Sequence, residues 1–261
     1  MGGARTAGER NDTVAGCETG YCKVEFSLAH VADLFALDKS IRQVRALLKD
    51  YCAEGNVRLL GLGIHPVTPP GADLLMKKGR TGVWDKVFGA NRCLPPQRGD
   101  DVCLFTVNTA SHVHLSTTPD ECVKAVNVLN GLAGAQIALT ANSSVWKGAV
   151  DPSYKCVADK FWNWWIPEGN RVGVPERPFA DLADYVAAIA GFHPIFVKRD
   201  GVPYLLKEYE TFADAYAARP MRAVALDGAP VELTPEPADI DVHCTCYWFN
   251  ARISQHFTVE N

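Results

Sequence analysis

Two histidines one residue apart, His112 and His114, sit in a polar and apolar alternation that runs from Cys103 to Leu115. Successive side chains on a strand point to opposite faces, so both imidazoles share one face and Val113 and Leu115 share the other, toward a core. Thr117 to Glu121 then carries helix-start signals: Thr118 as N-cap, Pro119 at the first helical position, and acids in the first turn. Val123, Val126, Leu129, Leu132 and Ile137 follow at helical spacing, and Ala141-Asn142-Ser143-Ser144 closes the unit as a small polar loop. A strand, a helix and a polar loop in that order predict a sheet-lined polar cleft. His-x-His on a strand has two readings. The imidazoles are hydrogen-bonded framework groups, or they are a pair of ligands for a divalent metal, with the remaining ligands supplied from elsewhere.

The rest of the composition narrows the class. The chain has 261 residues, 48% hydrophobic and 21% charged, which is ordinary for one large globular domain. A formal net charge of -4 argues against nucleic acid or an anionic membrane as the main partner. No apolar run long enough for a membrane span is present. Residues 1–20 lack the apolar core of a signal peptide and read as a flexible leader, which leaves 21–261 as a single domain. Nine cysteines, an odd count spread through apolar runs, read as reduced buried thiols, and the expected location is cytoplasmic.

In chain order, Tyr21–Leu28 alternates as a strand carrying Glu25. Residues 36–52 form an amphipathic helix whose stripe is Leu37, Ile41, Val44, Leu47, Leu48 and Tyr51, ended by Gly55. Val57–Pro66 reads as a strand, and its two glycines are too few for a phosphate-binding fingerprint. Residues 67–101 are locally basic (Lys77, Lys78, Arg80, Lys86, Arg92, Arg98), with a short helix around Trp84–Phe88; they form a solvated surface or supply a cation to an anionic ligand. An aromatic cluster (Phe161, Trp162, Trp164, Trp165) reads as packing. Residues 178–190 form a second amphipathic helix, Asp200-Gly201 turns a hairpin, and 211–216 is a short helix. The tail reads as two strands, 239–249 and 251–261. In that reading His243, Cys244 and Cys246 have poor spacing for zinc, although a metalloprotein using His112, His114 and His243 with cysteines stays open.

These segments, in this order, resemble the glutamate–cysteine ligase family and its carboxylate–amine ligase relatives. The resemblance rests on Val24-Glu25-Phe26-Ser27-Leu28, on the strand through His112 and His114, and on Ala138-Leu139-Thr140-Ala141-Asn142-Ser143 followed by Gly148. It continues through Ser153 and Lys155, Arg171-Val172-Gly173, the hairpin Pro194 to Tyr204, and the closing Thr258-Val259-Glu260. It implies an α+β fold of the glutamine-synthetase type, a curved and mainly antiparallel sheet forming a funnel with helices packed outside. It implies ATP and Mg2+, with a glutamate side chain activated as an acyl phosphate and an amine such as cysteine displacing phosphate. Residue by residue, it implies Glu25, His112 and Glu260 as divalent-ion ligands, Arg171 and His114 as catalytic groups, and Asn142, Lys155 and Arg252 as nucleotide contacts. Lys155 stands where the family has arginine and so lacks a planar bidentate grip. The family's leading GxExE strand is missing and its terminal arginine would be residue 262, so the match looks shortened at both ends. The expected partners are small-molecule substrates, with a second polypeptide or a homo-oligomer completing the site. A non-catalytic or split homologue that binds an amino acid or a partner chain through the remaining cleft is the alternative.

Overall fold

A computed structural model describes residues 13–77, 81–88, 101–165, 171–254 and 257–261. Strands β1 (Val14–Cys17) and β2 (Val24–Ser27) pair antiparallel, with Gly16 opposite Glu25. Residues 14–17 are therefore a strand where a flexible leader is expected; residues 1–12 lie outside the described residues. The turn of this ribbon is tied to the body of the protein. Gly20 comes so close to Thr106 that a Cβ there would lie 1.9 Å from the Thr106 carbonyl oxygen, and Lys23 Nζ donates to the Phe105 carbonyl at 2.6 Å.

Helix α1 (Leu34–Glu54) starts where the Asp33 carboxylate accepts the Ala36 N–H and ends at Gly55, as expected. Val57–Pro66 is not a strand; its one ladder contact is Ile64 with Asn108. The two glycines and the terminal proline leave it too little pairing backbone. Helix α2 (Thr81–Phe88) covers the predicted short helix. Of the basic residues around it, Lys78, Arg80, Arg92 and Arg98 lie outside the described residues. The expected strand from Cys103 is instead a 3₁₀ helix, Asp101–Thr106, in which Thr106 Oγ1 donates to the Cys103 carbonyl at 2.7 Å. That local bond competes with sheet pairing, and Leu104 and Val107, three residues apart, are buried together as one face of a helical turn.

Strand β3 (His114–Ser116) is correspondingly short. The single expected helix is two: α3 (Cys122–Gly131) and α4 (Ala133–Thr140), bent by 57° at the join, where Gly131 weakens the helix. Thr118 lies a turn before α3 and its hydroxyl donates to Glu121, which is the capping position. There follow β4 (Val145–Trp146) and β5 (Ala149–Val150), which pair as a hairpin, α5 (Val157–Trp165), β6 (Val172–Gly173) and α6 (Leu182–Ala190). Next come β7 (Phe196–Arg199) and β8 (Val202–Leu205), joined by Asp200 and Gly201 with φ of 50° and 80°, the left-handed turn that Asp-Gly favours. Helix α7 (Phe212–Ala217) leads to β9 (Met221–Ala225) and β10 (Pro230–Leu233), which complete an antiparallel sheet in the order β10-β9-β8-β7.

The tail departs most from expectation. Residues 237–244 are helix α8 (Pro237–Cys244), not a strand. Pro237 opens it, and Glu236 and Asp239 close a reciprocal capping box. Asp239 is fully buried and receives both Arg199 Nη1 (2.6 Å) and Nη2 (3.0 Å). The last strands are β11 (Trp248–Phe249), parallel to β6, and β12 (Arg252–Ile253) and β13 (Thr258–Glu260), which join β3 in the order β12-β13-β3.

The architecture is α+β, with helices and mainly antiparallel strands. Among the described residues the strands form separate sheets of two to four, so the continuous funnel of the expectation is not drawn by these pairings. The main core joins α3, α6 and the tail through Val126, Phe179, Ile189, Phe249 and Val259. A second core packs Ile64, Leu104 and Val107 on Trp146 and Phe161, absorbing part of the predicted aromatic cluster. Cys103, Cys122 and Cys246 are buried thiols, but Cys17, Cys22 and Cys244 are exposed. No described helix is long and apolar enough to cross a membrane.

Candidate active-site face

The sheet β12-β13-β3 has an inner face and an open one. Val259 on the inner face is fully buried against the main core. Side chains alternate, so Glu260 points the other way, together with its cross-strand partners Arg252 on β12 and His114 on β3. Val113 and Asn261 exchange both backbone hydrogen bonds, at 2.9 Å each. The neighbouring pair Glu260 and His114 is therefore a non-hydrogen-bonded pair, the closer kind for side chains. The same alternation carries His112 to this face, with Nδ1 3.3 Å from Glu260 Oε1. Arg252 Nη2 lies 3.2 Å and 3.1 Å from the two Glu260 oxygens. Two cations or donors thus converge on one carboxylate that is 16% exposed. Val113 and Leu115 are exposed rather than core residues, because β3 is the edge of its sheet.

The backbone on either side of Arg252 is fixed by buried groups that the sequence did not flag. The Asn130 side-chain amide donates to the Ala251 carbonyl at 2.9 Å and accepts the Ala251 N–H at 3.0 Å. Tyr185 Oη accepts the Ile253 N–H at 3.0 Å and pairs with Tyr247 Oη at 2.6 Å. Burial raises both phenols above their ordinary pKa. Arg252 Nη1 in turn donates to the Tyr247 carbonyl at 2.6 Å. An Asn inside an otherwise apolar helix face was the available signal for Asn130. For the tyrosines no sequence pattern exists, since their partners lie far along the chain.

The other predicted site residues do not join this face. Glu25 is exposed on β2, in the separate β1-β2 ribbon. Among the described residues no three His, Cys, Asp or Glu side chains come together as a metal-holding group, so the expected set Glu25, His112 and Glu260 is not assembled. The same finding corrects the set with His243 and cysteines. His243 is buried on α8, bonded through Nε2 to the Ile189 carbonyl at 2.8 Å and stacked on Phe212 at 4.0 Å. Its burial pushes its pKa down to about 4.

Arg171 is 8% exposed, and its guanidinium donates to the Cys246 and His193 carbonyls. Burial lowers its pKa from the ordinary value. Those bonds make it a strut between the β6 loop and the tail, not a group free to meet an anion. Asn142 is exposed, but its amide donates to the Gly61 carbonyl at 2.7 Å while its own carbonyl accepts the Gly63 N–H at 2.8 Å. The Asn142 loop and the glycine-containing stretch 61–63 are thereby one unit. Lys155 has an exposed side chain, and its carbonyl accepts the Ser143 N–H at 3.3 Å.

Comparison with known proteins agrees with this arrangement of segments. The model of glutamate-cysteine ligase family 2 matches residues 4–260. A curated protein of Nocardia farcinica (strain IFM 10152), named "Putative glutamate--cysteine ligase 2-1", is 29% identical over 191 residues. The match takes in 71% of this chain and 44% of that relative, so the chain spans less than half the length of the protein it resembles. With the family model covering nearly the whole sequence, including Glu25, the histidine strand and Glu260, the chain belongs to glutamate-cysteine ligase family 2.

Proposed function

We propose that this chain is a carboxylate–amine ligase domain acting on small molecules in the cytoplasm. It uses ATP with Mg2+ to activate the side-chain carboxylate of glutamate and joins it to an amine, with cysteine the leading acceptor. The observation that carries the reading is the open face of β12-β13-β3, where Arg252, Glu260, His114 and His112 converge in a chain that matches the family over residues 4–260. A glutamine-synthetase-like funnel belongs to the same proposal.

In the reaction a glutamate carboxylate oxygen attacks the terminal phosphorus of ATP and ADP leaves. The amine nitrogen then attacks the acyl carbon, gives up a proton, and inorganic phosphate leaves. Mg2+ commonly takes only one or two protein carboxylates beside the nucleotide phosphates, so a lone carboxylate at this face fits it. Glu260 would be that carboxylate, and the bound ion would offset phosphate charge. Arg252 is a planar cation bonded to Glu260 and the Tyr247 carbonyl; with Glu260 given to the ion, its Nε and Nη2 would turn to a phosphate oxygen. His114, exposed on the same face, would take the proton of the amine. Asn142 and Lys155 are proposed nucleotide contacts on the loop tied to residues 61–63, and Arg171 serves by holding the tail in place.

The test is product analysis by mass spectrometry after incubation with Mg-ATP, glutamate and a mixture of amino acids led by cysteine. A γ-glutamyl product formed with ADP, and lost in Glu260→Ala, is the expected result. One finding favours a second reading, a split or non-catalytic homologue: the absence of a three-ligand cluster among the described residues. Folded protein giving neither product nor ADP would select it.

A further inference from the structure

Strand β12 is an edge of its sheet among the described residues, yet its outer side is not bare. Ser254 N–H donates to the Thr258 carbonyl at 2.7 Å, so the main chain of Arg252 and Ser254 faces β13 and that of Ala251 and Ile253 faces outward. An edge strand ordinarily leaves such outward groups to solvent or to another chain. Here buried side chains take all four of them. The Asn130 amide from α3 meets both groups of Ala251, at 2.9 Å and 3.0 Å. Tyr185 Oη from α6 accepts the Ile253 N–H at 3.0 Å, and Tyr247 Oη donates to the Ile253 carbonyl at 3.4 Å. With the Tyr247 proton placed there, the 2.6 Å bond between the phenols is donated by Tyr185. The result is a closed ring, from the Ile253 N–H through two hydroxyls to the Ile253 carbonyl. Asn130, Tyr185 and Tyr247 are 6%, 4% and 2% exposed, so solvent hardly reaches these bonds.

Arg252 lies between the two brackets. Its Nη1 donates to the Tyr247 carbonyl at 2.6 Å. Tyr247 thus holds the neighbouring main chain with its hydroxyl and one end of the guanidinium with its carbonyl. With Nη1 held, the edge carrying Nε and Nη2 is the one presented to Glu260 and the open face. That edge is the donor pair suited to two oxygens of one anion. An arginine on an unsupported edge would sample many rotamers, and ordering it at the moment of binding weakens the contact.

We infer that Asn130, Tyr185 and Tyr247 are positioning residues, which set the Arg252 guanidinium in advance for the anionic oxygen it meets. That this oxygen belongs to a nucleotide phosphate rests on the ligase reading above.

Tyr185→Phe keeps the ring and removes the hydroxyl that links the Ile253 N–H to Tyr247. Asn130→Asp keeps an acceptor for the Ala251 N–H and removes the donor to its carbonyl. Val126→Ala, in the same core on α3, loses packing without touching this network and serves as the control. Retained dispersion of the amide spectrum shows that each variant is folded. The first readout is the Arg252 Nε–H resonance of the free full-length chain in 15N NMR, identified by its loss in Arg252→Met. In the wild type it is expected apart from those of exposed arginines, since Nε lies 3.3 Å from Glu260 Oε2. In Tyr185→Phe and Asn130→Asp it is expected to shift toward them and to exchange faster with water, while Val126→Ala leaves it in place. The second readout is Mg-ATP affinity by calorimetry, expected to weaken about tenfold in the same two variants and to hold in Val126→Ala. A resonance unmoved in both variants overturns the inference, as does one moved as far by Val126→Ala. A resonance that moves while Mg-ATP affinity stays at the wild-type value also overturns it. A wild-type protein that fails to bind Mg-ATP sinks the ligase reading instead, and the resonance then decides the positioning role alone.

Discussion

Arg252 and Glu260 are partners in two senses: their Cα positions pair across β12 and β13, and the guanidinium lies within 3.3 Å of both carboxylate oxygens through Nε and Nη2. The side chains are 20% and 16% exposed, so the pair is partly shielded from solvent. Arg252 is also spent on the Tyr247 carbonyl, which ties the site to the buried tyrosine pair. The face is thus built outward from the core.

Removing the guanidinium should cost more than a surface ion pair, because it leaves Glu260 and the Tyr247 carbonyl short of a donor. Arg252→Met is expected to lower stability by about 1–2 kcal/mol. Urea unfolding of Arg252→Met, Glu260→Gln and the double variant checks it. The double variant should be less destabilised than the sum of the two; strict additivity would mean that the pair contributes nothing.

Arg171 should behave as a framework residue. Arg171→Ala leaves two main-chain carbonyls unmet in a buried setting and is expected to cost about 2–4 kcal/mol. Arg171→Lys should recover only part of this, since an ammonium lacks the guanidinium's fork. Chemical unfolding of both variants measures it. A stability equal to wild type in Arg171→Ala would contradict the strut role.

His243 makes stability depend on pH in a predictable direction. Its folded pKa is about 4 against an ordinary value of 6.5. Between those values the unfolded chain binds the proton and the folded chain does not. The contribution is complete above pH 6.5 and is lost as pH falls toward 4. A shift of that size corresponds to about 3 kcal/mol. Urea midpoints measured from pH 7 to pH 4 should fall less steeply in His243→Gln than in the wild type. Equal slopes would show that the imidazole does not carry the effect.

Sequence and structure agree where the determining chemistry is local. Asp200-Gly201 names its own turn, and Gly55 marks the end of α1. They part where a distant partner decides. Residues 239–249 alternate like a strand, yet Asp239 is held in α8 by Arg199 from β7, forty residues away in sequence. The cue that was present, Glu236-Pro237 followed by Asp239, is a helix start. His114 and Glu260 are each legible as candidates, but their meeting depends on β13 adding to β3 across more than 140 residues of chain. Asn130 was legible only as a polar residue on an apolar helix face, and the role of Tyr185 not at all, because each acts through the distant backbone of residues 251 and 253.

The central claim is that this face activates a carboxylate by phosphorylating it, and isotope transfer tests it most directly. Glutamate labelled with 18O in its side-chain carboxylate is incubated with the protein, Mg-ATP and cysteine, and the inorganic phosphate is analysed by mass spectrometry. The account predicts one 18O per phosphate released alongside γ-glutamyl product, and no release in Glu260→Ala. Unlabelled phosphate accompanying product, or labelled phosphate undiminished in Glu260→Ala, would contradict it.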